Sequence, residues 1–410
     1  MTLTQYLDKI GVDLNGDFLR EGARLMAQMA MDWEVKQQIG AGRYERSPLR
    51  TNQRNGYRER PWDTRVGSIL LDVPKLRSGT YFPSLLEPRR RAEKALLAVI
   101  QQAYIEGVST RKVDDLLQSL GLTGIDKSQV SRVCKALDEV VEQFRSRPLE
   151  GTYPYLWLDA VYLKVRHNHR IVNEAVVLAI GARDTGEREI LGFSVGMSEE
   201  EASWQEFLRA LVRRGLKGVQ PACADRLVVS DAHEGLKAAI SKVLAGATWQ
   251  RCRVHFMRNL LAHVPQGDKA MVAAAVRTIF AQPNHQAARQ QLAEVVKAMH
   301  TRWPKAADLL ASAEEDVLAY MHFPQDHWTR IYSTNILERL IREIRRRTNV
   351  VGVFPDDPSV VRLPGTQVIE IAEDWELERR FFSLESMQRL THPEQVLVAE
   401  PVPLRLAPVR

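Results

Sequence analysis

The spacing of apolar residues changes several times along the chain, and each change marks a different kind of element. Residues 1 to about 40 carry helical periodicity through Phe18, Ala23, Leu25, Met26 and Met29. The next stretch, TNQRNGYRERPWDTRVGSILLDVPKLRSG, is turn-rich, and Asn55-Gly56 with the short run Ser68 to Val73 predicts small β-hairpins. From Arg91 a helical stripe returns in Leu96, Leu97, Ile100, Ala103 and Tyr104, and Gly107 ends it. Ser109 caps a second helix through Leu117, and Gly121 breaks it. Asp126 or Ser128 caps a third helix through Val130, Val133, Leu137 and Val141.

After Pro148 and LEGTYPY the pattern turns to strands. YLWLDAVYLKVR reads as one strand, His167 to Arg170 as a tight turn, and IVNEAVVLAIGA as a second strand; Asp184-Thr185-Gly186 then turns the chain into a third, ILGFSVGMS. A helix opened by Ser203, a strand ending in LVVSD, a helix over LKAAISKVL and a fifth strand, ATWQRCRVH, follow. Three antiparallel strands, then helix, strand, helix, strand is the order of a ribonuclease-H-like fold. Residues 256 to 330 are helical and alanine-rich, with no strand signal, and read as an all-helical insertion. The helix STNILERLIREIRRRT comes next, with Ser333 or Thr334 as cap and Leu337, Leu340, Ile341 and Ile344 as its buried stripe. Beyond Thr348 an extended, proline-marked segment is expected.

The predicted architecture is α/β: a mixed sheet interrupted by helices and preceded by a basic β-rich arm and a helix-turn-helix. Its divisions are 1–90 for the N-terminal helix and arm, 91–150 for the helix-turn-helix, and 151–255 for the first part of the sheet domain. Residues 256–330 form the helical insertion, 331–385 complete the core, and 386–410 are a mobile tail. A chain of 410 residues exceeds what one core usually serves, consistent with several domains.

Composition narrows the functional class. With 45% hydrophobic and 26% charged residues the chain is of the ordinary globular kind. No apolar run reaches membrane-spanning length and the start lacks signal-peptide character, so no membrane partner and a cytoplasmic, nucleoid-associated location are expected. The three cysteines, Cys134, Cys223 and Cys252, are widely separated, which argues against a disulfide framework and a structural zinc site. The net charge of +6 is unevenly spread: from Arg43 to Lys94 there are 13 lysines and arginines against 6 acidic residues, a surface suited to phosphates. In a helix-turn-helix the start of the third helix enters the major groove, presenting Lys127, Ser128, Gln129, Ser131 and Arg132 to base edges. The same spacing also suits an ordinary three-helix packing unit.

Three carboxylates carry the candidate chemistry. Asp159 lies inside an apolar strand, where a charge demands compensation. Asp231 follows LVVS at a strand end, where a side chain emerges into a crevice. Glu338 comes from a helix that packs across the same sheet. Such like charges repel one another and stay ionised together when cations are present, and oxygen ligands suit Mg²⁺, with Mn²⁺ able to substitute. Two ions roughly 3.5 to 4 Å apart stabilise both oxygens of an in-line phosphoryl displacement. Taken singly, each acid has a plainer reading, such as a Glu338–Arg342 pair at helical spacing. Arg342 and Arg345 recur on the Glu338 face of a helix that also carries Arg346, where a DNA phosphate or merely solvent would meet them. Cys252 and His255 form a C-x-x-H pair that orders the site in preference to forming a catalytic thiol pair. His233 touches the site or caps a helix.

The chain resembles the mutator-type bacterial insertion-sequence transposases, which have an Asp-Asp-Glu catalytic domain. The matching stretches are YLWLDAVYLKVR, VVSDAHEGLKAAI, WQRCRVHFMRNLL and STNILERLIREIRRRTNVVGVFP, with RNGYRER and VPKLRSGTYFP in the arm. The resemblance implies that Asp159, Asp231 and Glu338 are the metal-binding triad, and that Cys252 and His255 are the family's C-x-x-H element. It further implies binding of terminal inverted repeats, DNA cleavage and strand transfer, and movement through a circular intermediate. Pairing two element ends requires two DNA sites, so a homodimer assembled on DNA is expected. Another ribonuclease-H-like nuclease and a DNA-binding relic are the competing readings.

Overall fold

The computed structural model describes residues 17–64, 66–86, 94–106, 108, 112–113, 115, 117, 127–196, 200–217 and 226–391. The chain separates into two compact units, Met1–Ala136 and Leu137–Arg410.

In the first unit, helix α1 (Asp17–Ile39) lies on a hairpin of β1 (Arg54–Thr64) and β2 (Gly67–Leu76). Its buried stripe is Ala27, Met31, Val35 and Ile39, which packs on Ile69, Leu71 and Val73. The predicted stripe ran through Met26 and Met29, but these are exposed, because the side chains spaced four apart from Ala27 make the continuous row that the alternating face of β2 can receive. Asn55-Gly56 is not the hairpin turn. Gly56 adopts φ +75° where the register of β1 shifts, which is a bulge, and the turn joins Thr64 to Gly67.

Helix α2 (Lys94–Ile105) buries Leu96, Ile100 and Tyr104, and Gln101 Nε2 donates to the Val133 carbonyl of α3 (Lys127–Cys134). The capping and breaking positions Gly107, Ser109, Gly121 and Asp126 lie outside the described residues, as do the side chains of Lys127, Ser128, Gln129 and Ser131. The third predicted helix divides at Lys135 and Ala136. Its continuation, α4 (Leu137–Ser146), belongs to the second unit, where Val141 is buried against later elements.

The second unit is built on a mixed sheet of β3 (Tyr155–His167), β4 (Arg170–Ala182), β5 (Arg188–Gly196), β6 (Leu227–Ser230) and β7 (Thr248–Arg251), in the order β5-β4-β3-β6-β7. The first three pair antiparallel, while β6 and β7 run parallel to β3. The β3–β4 turn is two residues long because Asn168 and His169 both accept positive φ, the geometry that matches strand twist. Helices α5 (Glu201–Arg213) and α6 (Glu234–Val243) cover one face through Trp204, Leu208, Leu211, Leu236 and Ile240, meeting Leu156, Leu158 and Val228.

Alternation along β3 sends Tyr155 and Trp157 to the opposite face, where they meet Phe382 and Phe381. Residues 253–331 are helical, comprising α7 (Arg253–Ala262), α8 (Lys269–Phe280), α9 (His285–His300), α10 (Pro304–Ser312), α11 (Glu314–Leu318) and α12 (Trp328–Ile331) with short 3₁₀ turns. The two ends of this segment meet, since Arg253 N–H donates to the Tyr332 carbonyl at 2.9 Å.

Helix α13 (Asn335–Val351) packs against β3. The segment after it is not extended throughout. Asp356 caps a 21-residue helix, α14 (Asp357–Leu377), with Pro358 in the first turn, where no amide donor is needed. Pro364 sits inside the same helix, and burial of Val360, Leu363 and Val368 against the sheet outweighs the lost hydrogen bond. Residues 384–391 form α15 (Leu384–Thr391), so the expected tail is helical at its start, and positions from 392 onward lie outside the described residues. No helix among the described residues is long and apolar enough to cross a membrane.

Candidate active site

Register brings two of the acids together. Trp157 pairs with Val229 across the parallel β3–β6 ladder, so two residues further along each chain Asp159 and Asp231 come level. Because Val228 faces α5 and α6, the alternation turns Val229 and Asp231 to the other face, the one that Trp157 and Asp159 share. Each aspartate accepts the next residue's amide, Ala160 N–H at 2.8 Å and Ala232 N–H at 2.7 Å, which fixes one oxygen of each carboxylate.

Glu338 arrives on the first turn of α13, with Leu337 and Leu340 buried on either side of it. His255 joins it to the aspartates. Its Nε2 lies 3.7 Å from Glu338 Oε1 and its Nδ1 lies 3.9 Å from Asp231 Oδ2. These gaps exceed hydrogen-bond length, so the imidazole attracts the carboxylates without consuming their lone pairs. Side-chain exposures of 44% for Asp231 and 32% for Glu338, against 17% for His255, leave the acids open to a large ligand over a sheltered ring.

The C-x-x-H pair lies on a helix start, not inside a strand. Strand β7 stops at Arg251; Cys252 N–H still donates to the Ser230 carbonyl, and Cys252 then takes the cap position of α7, with His255 in the first turn. The Cys252 sulfur is fully buried and accepts both the amide and the hydroxyl of Thr334 at 3.4 Å. Thr334 therefore caps α13 by position while its hydroxyl serves the thiol. Burial pushes the thiol up, but its contacts with His255 and Thr334 outweigh this and hold it below its ordinary value. The neighbouring Cys252, opposed by burial and reinforced by Asp231 and Asp159, pushes His255 up to about 9. The shift favours the protonated ring, which lies between Asp231 and Glu338 and offsets part of their repulsion.

The triad oxygens do not all come within 4.8 Å of one another. Among the described residues, the set of potential ligands that does is His167, Glu174 and Asp357, which no sequence signal singled out. His233 is exposed at the cap position of α6 and its side chain makes no capping bond. Arg342, Arg345 and Arg346 are exposed on α13, and Arg346 pairs with Glu343 at 3.1 Å. Arg132 is exposed on α3 in the other unit. Cys223 lies outside the described residues.

The profile of the family described as "Transposase, Mutator family" matches residues 2–378. The chain is 45% identical to the transposase for insertion sequence element IS1081 of Mycobacterium tuberculosis, over 91% of this chain and 89% of that protein. It is 37% identical to the transposase for insertion sequence element ISRM5 of Rhizobium meliloti, covering 91% and 92% of the two chains. It is also 37% identical to the transposase for insertion sequence element IS256 in transposon Tn4001 of Staphylococcus aureus, covering 84% and 87%. The chain belongs to the Mutator family of transposases.

Proposed function

We propose that the chain is a DNA transposase that binds the terminal inverted repeats of an insertion sequence and cleaves and rejoins DNA strands at a site formed by Asp159, Asp231 and Glu338. The observation that carries this reading is that His255 lies 3.9 Å from Asp231 and 3.7 Å from Glu338, while the β3–β6 register sets Asp159 level with Asp231. The sheet order and its antiparallel-then-parallel pairing support a ribonuclease-H-like core, into which residues 253–331 are inserted.

The donor set fits divalent cations: carboxylate oxygens, partly open to solvent, around a ring too distant to occupy them. Asp159, Asp231 and Glu338 would hold two Mg²⁺ ions, or Mn²⁺ in their place, which stabilise the attacking and leaving oxygens of phosphoryl transfer. The rigid strands fix the two aspartates, and the buried Cys252–Thr334 contact fixes the starts of α7 and α13, and with them His255 and Glu338. Arg342 and Arg345, on the face of Glu338, hold a DNA phosphate beside the acids. Water attacks in strand cleavage and a DNA 3′-hydroxyl in strand transfer, so no side chain becomes covalently attached. Base reading falls to the start of α3, at Lys127, Ser128, Gln129 and Arg132, and two copies assemble on paired ends.

The test is incubation of the purified chain with labelled DNA bearing the element's terminal repeat. Cleavage or joining at the repeat end in Mg²⁺, lost in chelator, is the expected result. Binding with neither reaction in Mg²⁺ or Mn²⁺ would overturn the enzymatic reading in favour of a DNA-binding relic.

A further inference from the structure

Far along β3 from the triad, three groups from separate elements converge. His167 ends β3, Glu174 lies in β4, and Asp357 is the first residue of α14. His167 Nε2 lies 2.5 Å from Glu174 Oε1 and 3.0 Å from Asp357 Oδ1. The chain beyond α13 is drawn there by its own ladder: Phe354 N–H donates to the Lys164 carbonyl, and Arg166 N–H donates to the Phe354 carbonyl. From position 159 to 167 the strand advances about 26 Å, so this cluster is separate from the triad.

Glu174 is the unusual member. Its side chain is only 3% exposed, and while Oε1 faces His167, Oε2 is buried with no hydrogen-bond partner. A buried carboxylate oxygen left unsatisfied is costly, and a hydrogen bond from a single imidazole serves only one of the two oxygens. A cation bound by both oxygens of Glu174 would satisfy the second. His167, at 30% exposure, and Asp357, at 56%, leave the cluster reachable from solvent.

We propose that His167, Glu174 and Asp357 form a second divalent-cation site, of one imidazole and two carboxylates, for a first-row transition metal such as Zn²⁺. One nitrogen with oxygen ligands and an open position suits such ions better than Mg²⁺, which prefers oxygen and water. A cation there clamps the β3–β4 hairpin tip to the start of α14. It thereby braces the segment that follows the helix bearing Glu338. The sequence expectation that no structural zinc is present rested on cysteine spacing and does not bear on a site of this composition.

The probe is Zn²⁺ added to chelator-stripped full-length protein, with bound metal counted by elemental analysis after equilibrium dialysis. Because the triad itself attracts cations, the reference is the Asp159→Asn/Asp231→Asn double variant. That reference is expected to retain one equivalent of Zn²⁺, with an absorption spectrum of nitrogen and oxygen ligands at about 2.0–2.2 Å. Adding His167→Gln or Asp357→Asn should weaken it by at least about 10-fold and abolish a Zn²⁺-dependent rise in melting temperature of about 2–4 °C. Asp357 is exposed, so its variant keeps the test valid if His167→Gln fails to fold. No bound Zn²⁺ in the reference, or binding unchanged by Asp357→Asn, would overturn the proposal. Either result leaves the triad reading untouched, since the triad is disabled in every arm compared.

Discussion

Glu338 Oε1 stands 3.7 Å from His255 Nε2, although the two residues flank opposite ends of a long helical segment. The segment leaves the sheet at Arg253 and returns at Tyr332, and the hydrogen bond between those residues brings α7 and α13 side by side. The helical segment thus begins and ends beside the site and contributes His255 to it, but no acid of the proposed triad.

Cys252 is the largest influence raising His255, so Cys252→Ala should lower the His255 pKa from about 9 towards the ordinary histidine value. Histidine ring resonances followed through a pH titration by NMR would report it. Strand cleavage should fall by about 10-fold with DNA affinity retained, because the thiol positions the ring and helix start without touching DNA. An unmoved pKa would remove the positioning role.

Burial depresses His327 to about 4, and its Nδ1 shares a 2.6 Å hydrogen bond with the Tyr155 hydroxyl. The sign follows from proton uptake: between pH 6.5 and 4 the unfolded chain binds the proton and the folded chain does not. Stability therefore declines as pH falls through that window, by up to about 3 kcal/mol from this residue, and the loss levels off below the folded value. Urea unfolding at pH 7 and pH 4.5 should show a smaller loss in His327→Gln than in the wild type.

Gly365 lies where α14 crosses α4 and β5, and a Cβ there would sit 2.6 Å from Val141 Cγ1 and 2.8 Å from Phe193 Cζ. Gly→Ala in a helix normally gains about 1 kcal/mol, but forcing a methyl into rigid neighbours costs about 1–3 kcal/mol. Gly365→Ala should be net destabilising by about 1 kcal/mol in urea unfolding, and Gly365→Val clearly more so. A stabilised Gly365→Ala would show that α4 and α14 are not closely packed.

Much of this arrangement was legible in the sequence where local chemistry and tertiary structure agree. The apolar run around Asp159, the strand-end position of Asp231 and the amphipathic helix of Glu338 each follow from periodicity. Other features depended on partners that periodicity does not encode. Met26 and Met29 match a helical stripe, yet the surface of β2 receives Ala27 and Met31 instead. Cys252 continues the strand ladder by one hydrogen bond and then begins a helix because its sulfur meets Thr334, 82 residues away. Pro364 argues locally against a helix that burial nevertheless maintains. The His167, Glu174 and Asp357 cluster has no ligand spacing in sequence, since the short ladder at Phe354 is what delivers Asp357.

The most direct test of the proposed chemistry is to neutralise the three acids one at a time, as Asp159→Asn, Asp231→Asn and Glu338→Gln, and to measure cleavage of terminal-repeat DNA in Mg²⁺ beside DNA affinity. Each change should lower the cleavage rate by at least about 1,000-fold, roughly 4 kcal/mol of barrier, while affinity stays within about 2-fold. Near wild-type cleavage by any one of the three would contradict it.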